Sequence, residues 1–386
     1  MSTIAELQNE RFALRDDLMS MKKPKRLFMT VGFTLEAACG YAGVDLKKTH
    51  YDLGLLEKAY DKICADFYSD SLPVLNLRFP IVYQILGAKN FVLGSDGTVQ
   101  HPEIEVMRAD EYDEFIAAPY NTIIDKFLPR VCENLNKDPA TNALNLAAAF
   151  GAYKNVNGNE GAVYGKLFGK YGYAPGMIAP PFALIEAPFD FMSDQLRGFK
   201  GITMDIRRCP DKVKAAVDAV TPLMLKLAMP SVVPPGMSAF IPLHLGPYIN
   251  DKAFAELYWP TLEQVVVTLD KAGIRSVLFV EEDYTRRCEF LARLPKSAIM
   301  YMERGDAGRF TDTVGKEHIF GGFYDPTITL VRSKEECIDE AKRLFDTCMK
   351  SSHFYFNFDR QVLDIKSINV SKLQAVLEWV RDNAKY

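Results

Sequence analysis

The sequence predicts an α/β protein built as a (β/α)8 TIM barrel, with an N-terminal helical extension and inserted loops. Three observations predict it. From about residue 211 onward, short apolar runs alternate with amphipathic stretches, strand then helix, which is the pattern of parallel βαβ units. The runs FIPLH, SVLFV, AIMYM and HIF lack polar alternation, as strands covered on both faces do. The length of 386 residues suits one barrel with insertions, so 1–386 reads as a single domain. A doubly wound open sheet is the alternative, but the chain has no GxGxxG fingerprint for it.

The elements follow in order. Residues 1–26 read as a polar helix ending in Lys22, Lys23, Lys25 and Arg26, and 27–31 as a strand. A helix is expected over 55–68 and an extended run over 74–79. Asp96-Gly97 marks a hairpin. Helical patterns cover 110–135, interrupted at Pro119, and 141–153. From Gly151 to Pro181 the chain carries glycines at 151, 158, 161, 165, 169, 172 and 176, which reads as a long loop and a candidate lid. Asp211 can cap a helix carrying Val213, Val217, Val220 and Met224. Strands are then expected at 240–244, 276–280, 298–302, 318–320 and 353–358. Helices are expected at 251–272 (stopped by Gly273), 288–294, 306–314, 335–349 and 370–384.

Composition excludes several classes. With 46 basic and 50 acidic residues the net charge is −4, without a basic block, so nucleic acid is not an expected partner. No apolar stretch is long enough to cross a membrane, and the charged N-terminus lacks a signal-peptide core. Seven cysteines, an odd number with no CxxC pair, read as reduced thiols of a cytoplasmic protein.

Catalytic groups of such a barrel lie at the C-terminal ends of its strands. His244 follows FIPL, Glu281-Glu282-Asp283 follow SVLFV, Glu303 follows AIMYM, His318 opens the next strand, and Asn357 and Asp359 follow HFYF. Glu282, Glu303 and His318 have 20 and 14 residues between them, about one βα unit each. Two carboxylates and an imidazole on neighbouring strands would describe a catalytic zinc site with an open fourth position. The same residues also read as surface caps and a packed core histidine, and spacing does not choose between these.

Several stretches resemble the uroporphyrinogen decarboxylase superfamily: IPLHLGP (241–247), FAELYWPTLEQVV (254–266), GIRSVLFVEED (273–283) and IFGGFYDPTITL (319–330), with YAGVDLKKTHYD (41–52) and LGAKNFVLGSDGTVQHPE (86–103) nearer the N-terminus. The resemblance implies a (β/α)8 barrel and either decarboxylation or corrinoid-dependent methyl transfer. The Arg-rich decarboxylase signature is missing from KRLFMTVGF (25–33), and His244-Leu245-Gly246 lacks the cysteine of the HxC zinc branch. The chain is most similar to the methyltransferase I component of anaerobic O-demethylases, which acts on aryl methyl ethers. That likeness implies zinc held by Glu282, Glu303 and His318, with Glu281 the rival for Glu282, and a corrinoid (cobalamin) supplied on a separate carrier protein. His244 and Tyr301 become candidate proton donors to the ether oxygen. Phe182, Phe191 and Met192, with Phe189, are candidates for the aryl slot, and Asn357 or Arg197 for a ring substituent. A homodimer is compatible with all of this.

Overall fold

The computed structural model describes residues 3–178 and 180–386. The chain divides into two compact units, one of Met1–Leu77, Asn159–Ala179 and Val277–Tyr386, the other of Arg78–Gly158 and Pro180–Ser276.

In the second unit, strands β1 (Val92–Leu93) and β2 (Val99–Gln100) form the hairpin expected at Asp96-Gly97. Gly97 takes φ +90°, a value only glycine reaches without strain. Strands β3 (Phe182–Leu184) and β4 (Ser238–Leu243) pair in parallel, Phe182 opposite Ser238. The helix between them, Pro210–Ala228, buries Val213, Val217, Val220 and Met224 as expected, but its N-cap is Cys209 and Asp211 lies in its first turn. The helix expected over 110–135 is broken. It ends at Ala117, restarts at Pro119, and passes through a π-helical turn at Ile123–Phe127. The next π-helical turns are Met192–Arg197 and Phe254–Tyr258.

In the first unit, β5 (Arg275–Asp283, from Val277 on), β6 (Ile299–Arg304), β7 (Ile319–Gly322) and β8 (Phe354–Tyr355) pair in parallel and in chain order. Every position of β6 up to Glu303 is buried, the mark of a strand covered on both faces. Residues 27–33 run extended beside β8, with Met29 bridged in parallel to Phe356, and Phe33 is bridged in parallel to Val74. These two segments pair through single bridges rather than as regular strands. With them the unit holds six parallel positions, and the other unit holds two, the eight of a (β/α)8 fold.

The N-terminal helix, Ile4–Met19, opens with a capping box between Thr3 and Glu6. It is pinned by a buried network. The Asp70 carboxylate accepts from Arg11 Nε at 3.3 Å, from Arg26 Nη1 at 2.7 Å and from the Met29 amide at 2.9 Å. Arg11 also donates to the Tyr171 carbonyl at 2.7 Å.

The expected lid loop over 151–181 is corrected by the structure. Pro139–Tyr171 is one helix of 33 residues, and only the end of the glycine run, from Gly172, leaves it. The reason is legible in the spacing: Gly158, Gly161, Gly165 and Gly169 recur at three- and four-residue steps, a helical period that loops do not need. A Cβ at any of them would meet nothing within 4 Å, so they form an open stripe on the helix surface. Buried Val163 and Leu167 and the Lys170–Asp61 ion pair at 2.6 Å supply the packing that overrides weak glycine propensity. Glu160 on this helix is 3% exposed and accepts from the Tyr60 hydroxyl at 3.1 Å, and burial pushes its carboxyl up to about 7. Residue 179 lies outside the described residues.

All seven cysteines are free, as expected. No helix among the described residues is long and apolar enough to cross a membrane.

Candidate active site

In the second unit, the chain leaving β3 reads IEAPFDFMSDQ; Glu186 lies just before the helix Pro188–Phe191, which carries Asp190, and Asp194 follows in the π-helical turn Met192–Arg197. His244 directly follows β4. Asp190 is fully buried and accepts three hydrogen bonds: from the His244 amide at 2.9 Å, the Leu245 amide at 2.9 Å and the Tyr258 hydroxyl at 2.6 Å. It fixes the backbone that carries the imidazole. Asp194 Oδ2 then makes a short bond to His244 Nδ1, which orients the ring.

Two more groups complete this cluster. Glu186 Oε1 accepts from the Gln195 amide at 2.8 Å, while Oε2 is enclosed with no hydrogen-bond partner among the described residues. Burial, then the charge of Asp194, pushes the Glu186 carboxyl up to about 7, and burial holds Asp190 at about 6 against its three donors. Burial thus favours the protonated form of the Glu186 carboxyl. His101, stacked on Phe91 at 4.3 Å, lies within the electrostatic reach of Asp194 and His244. Burial, and then Arg78, favour its neutral form.

The aryl-slot candidates separate. Phe191 is half-buried and lies between Asp190 and Met192, beside the cluster. Met192 and Phe189 are fully buried in the core, and Phe189 packs on Tyr258 at 5.5 Å. Phe182 is opposite Ser238, six residues before His244, which is about 20 Å along a strand. It sits at the wrong strand end to share a site with that imidazole. Arg197 is committed to Asp205 at 2.6 Å and Glu105 at 2.6 Å, a buried structural knot rather than a substrate contact.

In the first unit, Glu303 at the end of β6 is 6% exposed. Its Oε2 accepts from the Glu282 amide at 2.8 Å and its Oε1 pairs with Arg360 at 3.1 Å. The β5–β6 ladder is irregular between Val280 and Asp283, and Glu282 takes φ +59° there, a strained conformation held by that carboxylate. Asp359 lies beside Arg360 and is pushed up to about 7, by burial first and by Asp325 next. Asn357 is used internally: its Oδ1 accepts from the Phe358 amide at 2.8 Å and its side chain bonds Tyr355, so it does not present a free amide to a substituent.

The zinc set is not assembled. His318 precedes β7, and Ile319 is opposite Ile299, so His318 lies about five residues, roughly 16 Å, from the level of Glu303. It sits at the N-terminal end of the strands, fully buried, with Nε2 3.0 Å from the Leu294 carbonyl and Nδ1 3.3 Å from the Val314 carbonyl. Burial lowers its pKa. It is a core histidine whose neutral ring can donate to one of these two carbonyls. Among the described residues no three His, Cys, Asp or Glu side chains are placed to hold a metal ion, so neither Glu282 nor Glu281 gains a histidine ligand this way.

Sequence reasoning missed Glu186, Asp190 and Asp194. The signal was present: three acids at four-residue spacing inside an aromatic run, where an unpaired carboxylate is costly. The rings of that run drew attention away from its acids.

The geometry can be set beside known proteins. The sequence profile described as uroporphyrinogen decarboxylase (URO-D) matches residues 178–382. A comparison with curated protein sequences gives no match. Among solved structures the chain is similar to a methyltransferase from Methanosarcina mazei, with a TM-score of 0.58 and 12% identity, covering 97% of this chain and 98% of that one. At that identity the likeness speaks to the fold.

Proposed function

The chain belongs to the uroporphyrinogen decarboxylase family, and from that premise we propose that it is a methyltransferase. It takes the methyl group of a phenyl methyl ether of the vanillate or veratrole kind and delivers it to Co(I) of a corrinoid on a separate carrier protein. One observation carries the reading: an imidazole at a strand end, oriented by Asp194, with its backbone locked by Asp190.

An aryl ether is a poor methyl donor because phenolate is a poor leaving group. As the C–O bond breaks, its electron pair returns to oxygen, and a proton delivered there lowers the barrier. The His244 imidazolium, stabilised by Asp194, is the acid suited to that step. Glu186, its carboxyl pushed up to about 7 by burial, is suited to hold a proton beside the Asp194–His244 pair. The methyl carbon is taken by the electron pair of the acceptor's Co(I), and the ring leaves as a phenol. Phe191 is the ring contact that remains from the expected slot. The residues expected to hold zinc do not fit that ion, and no step is routed through it.

Decarboxylation is the second reading, and the raised carboxyl of Glu186 favours it. The same acid would protonate the carbon that loses CO2. The missing Arg-rich signature weighs against a porphyrinogen substrate.

The test is anaerobic incubation of the purified protein with a methoxyarene and Co(I) cobalamin, read as methylcobalamin absorbance and free phenol. We expect turnover by wild type and at least a 100-fold loss in His244→Gln, within the range that general acid catalysis supplies. No demethylation across a panel of methoxyarenes, with CO2 released from a carboxylated substrate instead, would sink the reading.

A further inference from the structure

The hairpin of the second unit presents a flat ring beside the Asp194–His244 pair. Val92 is opposite Gln100, so one step further from the turn Phe91 is opposite His101, and an antiparallel pair so placed sends both side chains to one face. The two rings meet there, with 4.3 Å between centroids and 12° between planes. Tyr83, on the helix Pro80–Leu86, stacks on Phe91 at 4.8 Å and 19°. Two rings cannot share one face of Phe91 at those distances, so the three form a column with Phe91 in the middle. The Arg78 guanidinium lies 5.7 Å from the Phe91 centroid and donates to the Val99 carbonyl at 3.2 Å, which ties the column to β2.

His101 ends that column and is exposed, whereas Phe91 and Tyr83 are half-buried. One of its faces is spent on Phe91, which leaves the other as the flat surface it offers. The chain after His101 fixes where that surface stands. Glu103 accepts from the Lys200 amide at 3.3 Å, and the Val106 and Met107 amides both donate to the Leu196 carbonyl, at 3.0 and 2.8 Å. These bonds dock residues 103–107 on the segment that carries Asp194. The imidazole accordingly stands within the fields of Asp194 and His244. A ring backed by two others is already ordered, so a ligand that lies on it does not have to order it.

We propose that the outward face of His101 is the platform on which the aromatic ring of the methyl ether stacks, a specificity-determining contact that selects a flat ring over a puckered one. This rests on the aryl-ether reading of the same cluster and adds to the ring contact of Phe191. Stacking one more ring on the column supplies the preference, because a planar ligand keeps its whole face near van der Waals distance of the imidazole. A saturated ring of the same carbon count touches that face through a few hydrogens only.

The experiment measures binding of methoxybenzene and methoxycyclohexane to the full chain by calorimetry, without corrinoid. The two probes share the ether and the six-carbon ring and differ in planarity. Wild type should prefer methoxybenzene. His101→Leu should weaken methoxybenzene about 3- to 10-fold, the range that ring stacking supplies, and leave methoxycyclohexane within about 2-fold. His101→Phe, which restores a flat face, should keep the wild-type preference. A distorted hairpin would weaken both probes alike, so an equal loss in His101→Leu would overturn the proposal. No loss in that variant, no preference in wild type, a preference missing from His101→Phe, or no binding of either probe at millimolar concentration would overturn it too. Methyl transfer from methoxybenzene to Co(I) cobalamin is assayed on the same proteins. A His101-dependent preference without methyl transfer would sink the reaction and keep the platform, and methyl transfer with an unmoved ratio in His101→Leu would do the reverse.

Discussion

Replacing Glu160 by Gln should remove a specific part of the protein's pH dependence. The carboxyl sits between helices, 3% exposed, against the Tyr60 hydroxyl, and burial raises it from 4.5 to about 7. The folded state therefore holds this proton between those values while the unfolded chain releases it. Where the folded state binds more protons, stability falls as pH rises. The contribution is intact below about 4.5 and is lost progressively up to about 7. Moving the carboxyl from 4.5 to about 7 is worth about 3 kcal/mol, since each tenfold change in proton affinity is worth about 1.36 kcal/mol. Glutamine fills the same volume, keeps an acceptor for Tyr60 and does not titrate. Urea melts of wild type and Glu160→Gln at pH 5 and pH 8 give the comparison. The difference between the two proteins should be small at pH 5, and the variant should be the more stable by about 3 kcal/mol at pH 8. Equal pH slopes in the two proteins would refute the reasoning, because other buried carboxyls, Glu186 and Asp359 among them, titrate identically in both.

Other outcomes follow from the same contacts. Asp190→Ala removes the acceptor of the His244 and Leu245 amides and of the Tyr258 hydroxyl, which should cost at least ~3 kcal/mol in a denaturant melt. Asp194→Asn should keep the fold and lower turnover about 100-fold, as His244 loses the carboxylate that orients its ring. His318→Ala should destabilise by about 1–3 kcal/mol without changing metal content per chain by elemental analysis. A metal present in wild type and lost in that variant would restore the zinc reading. Gly161→Ala and Gly165→Ala should each stabilise by about 0.5–1 kcal/mol, since a Cβ there meets nothing and the backbone is helical. No gain in a melt would argue that the segment is not helical in solution.

Much of the fold was legible because apolar runs report burial directly. The strands at 238–243, 299–304 and 319–322 and the helices after them fall within a few residues of expectation. The glycine run misled because a count of glycines carries less information than their spacing. For the site, His244 was legible from its position after an apolar strand, and Asp190 and Asp194 were not, because a carboxylate's meaning depends on which donors the fold brings to it. The zinc expectation failed on one geometric point. A residue that opens a strand and one that closes its neighbour lie at opposite ends of the sheet, however suitable their separation in sequence.

The Asp70 network has a practical consequence for how this protein can be trimmed. Arg11 comes from the first helix and Arg26 from the turn after it, and both end on the same enclosed carboxylate. Removing residues one at a time from the start gives up the capping box and the Glu10–Arg26 pair first, and the loss should steepen abruptly once the cut reaches Arg11. Past that point a buried anion loses half of its countercharge and the carbonyls of Tyr171 and Gly172 lose their donor. A truncation series should therefore show a cliff rather than a slope in soluble yield, with its edge set by one guanidinium.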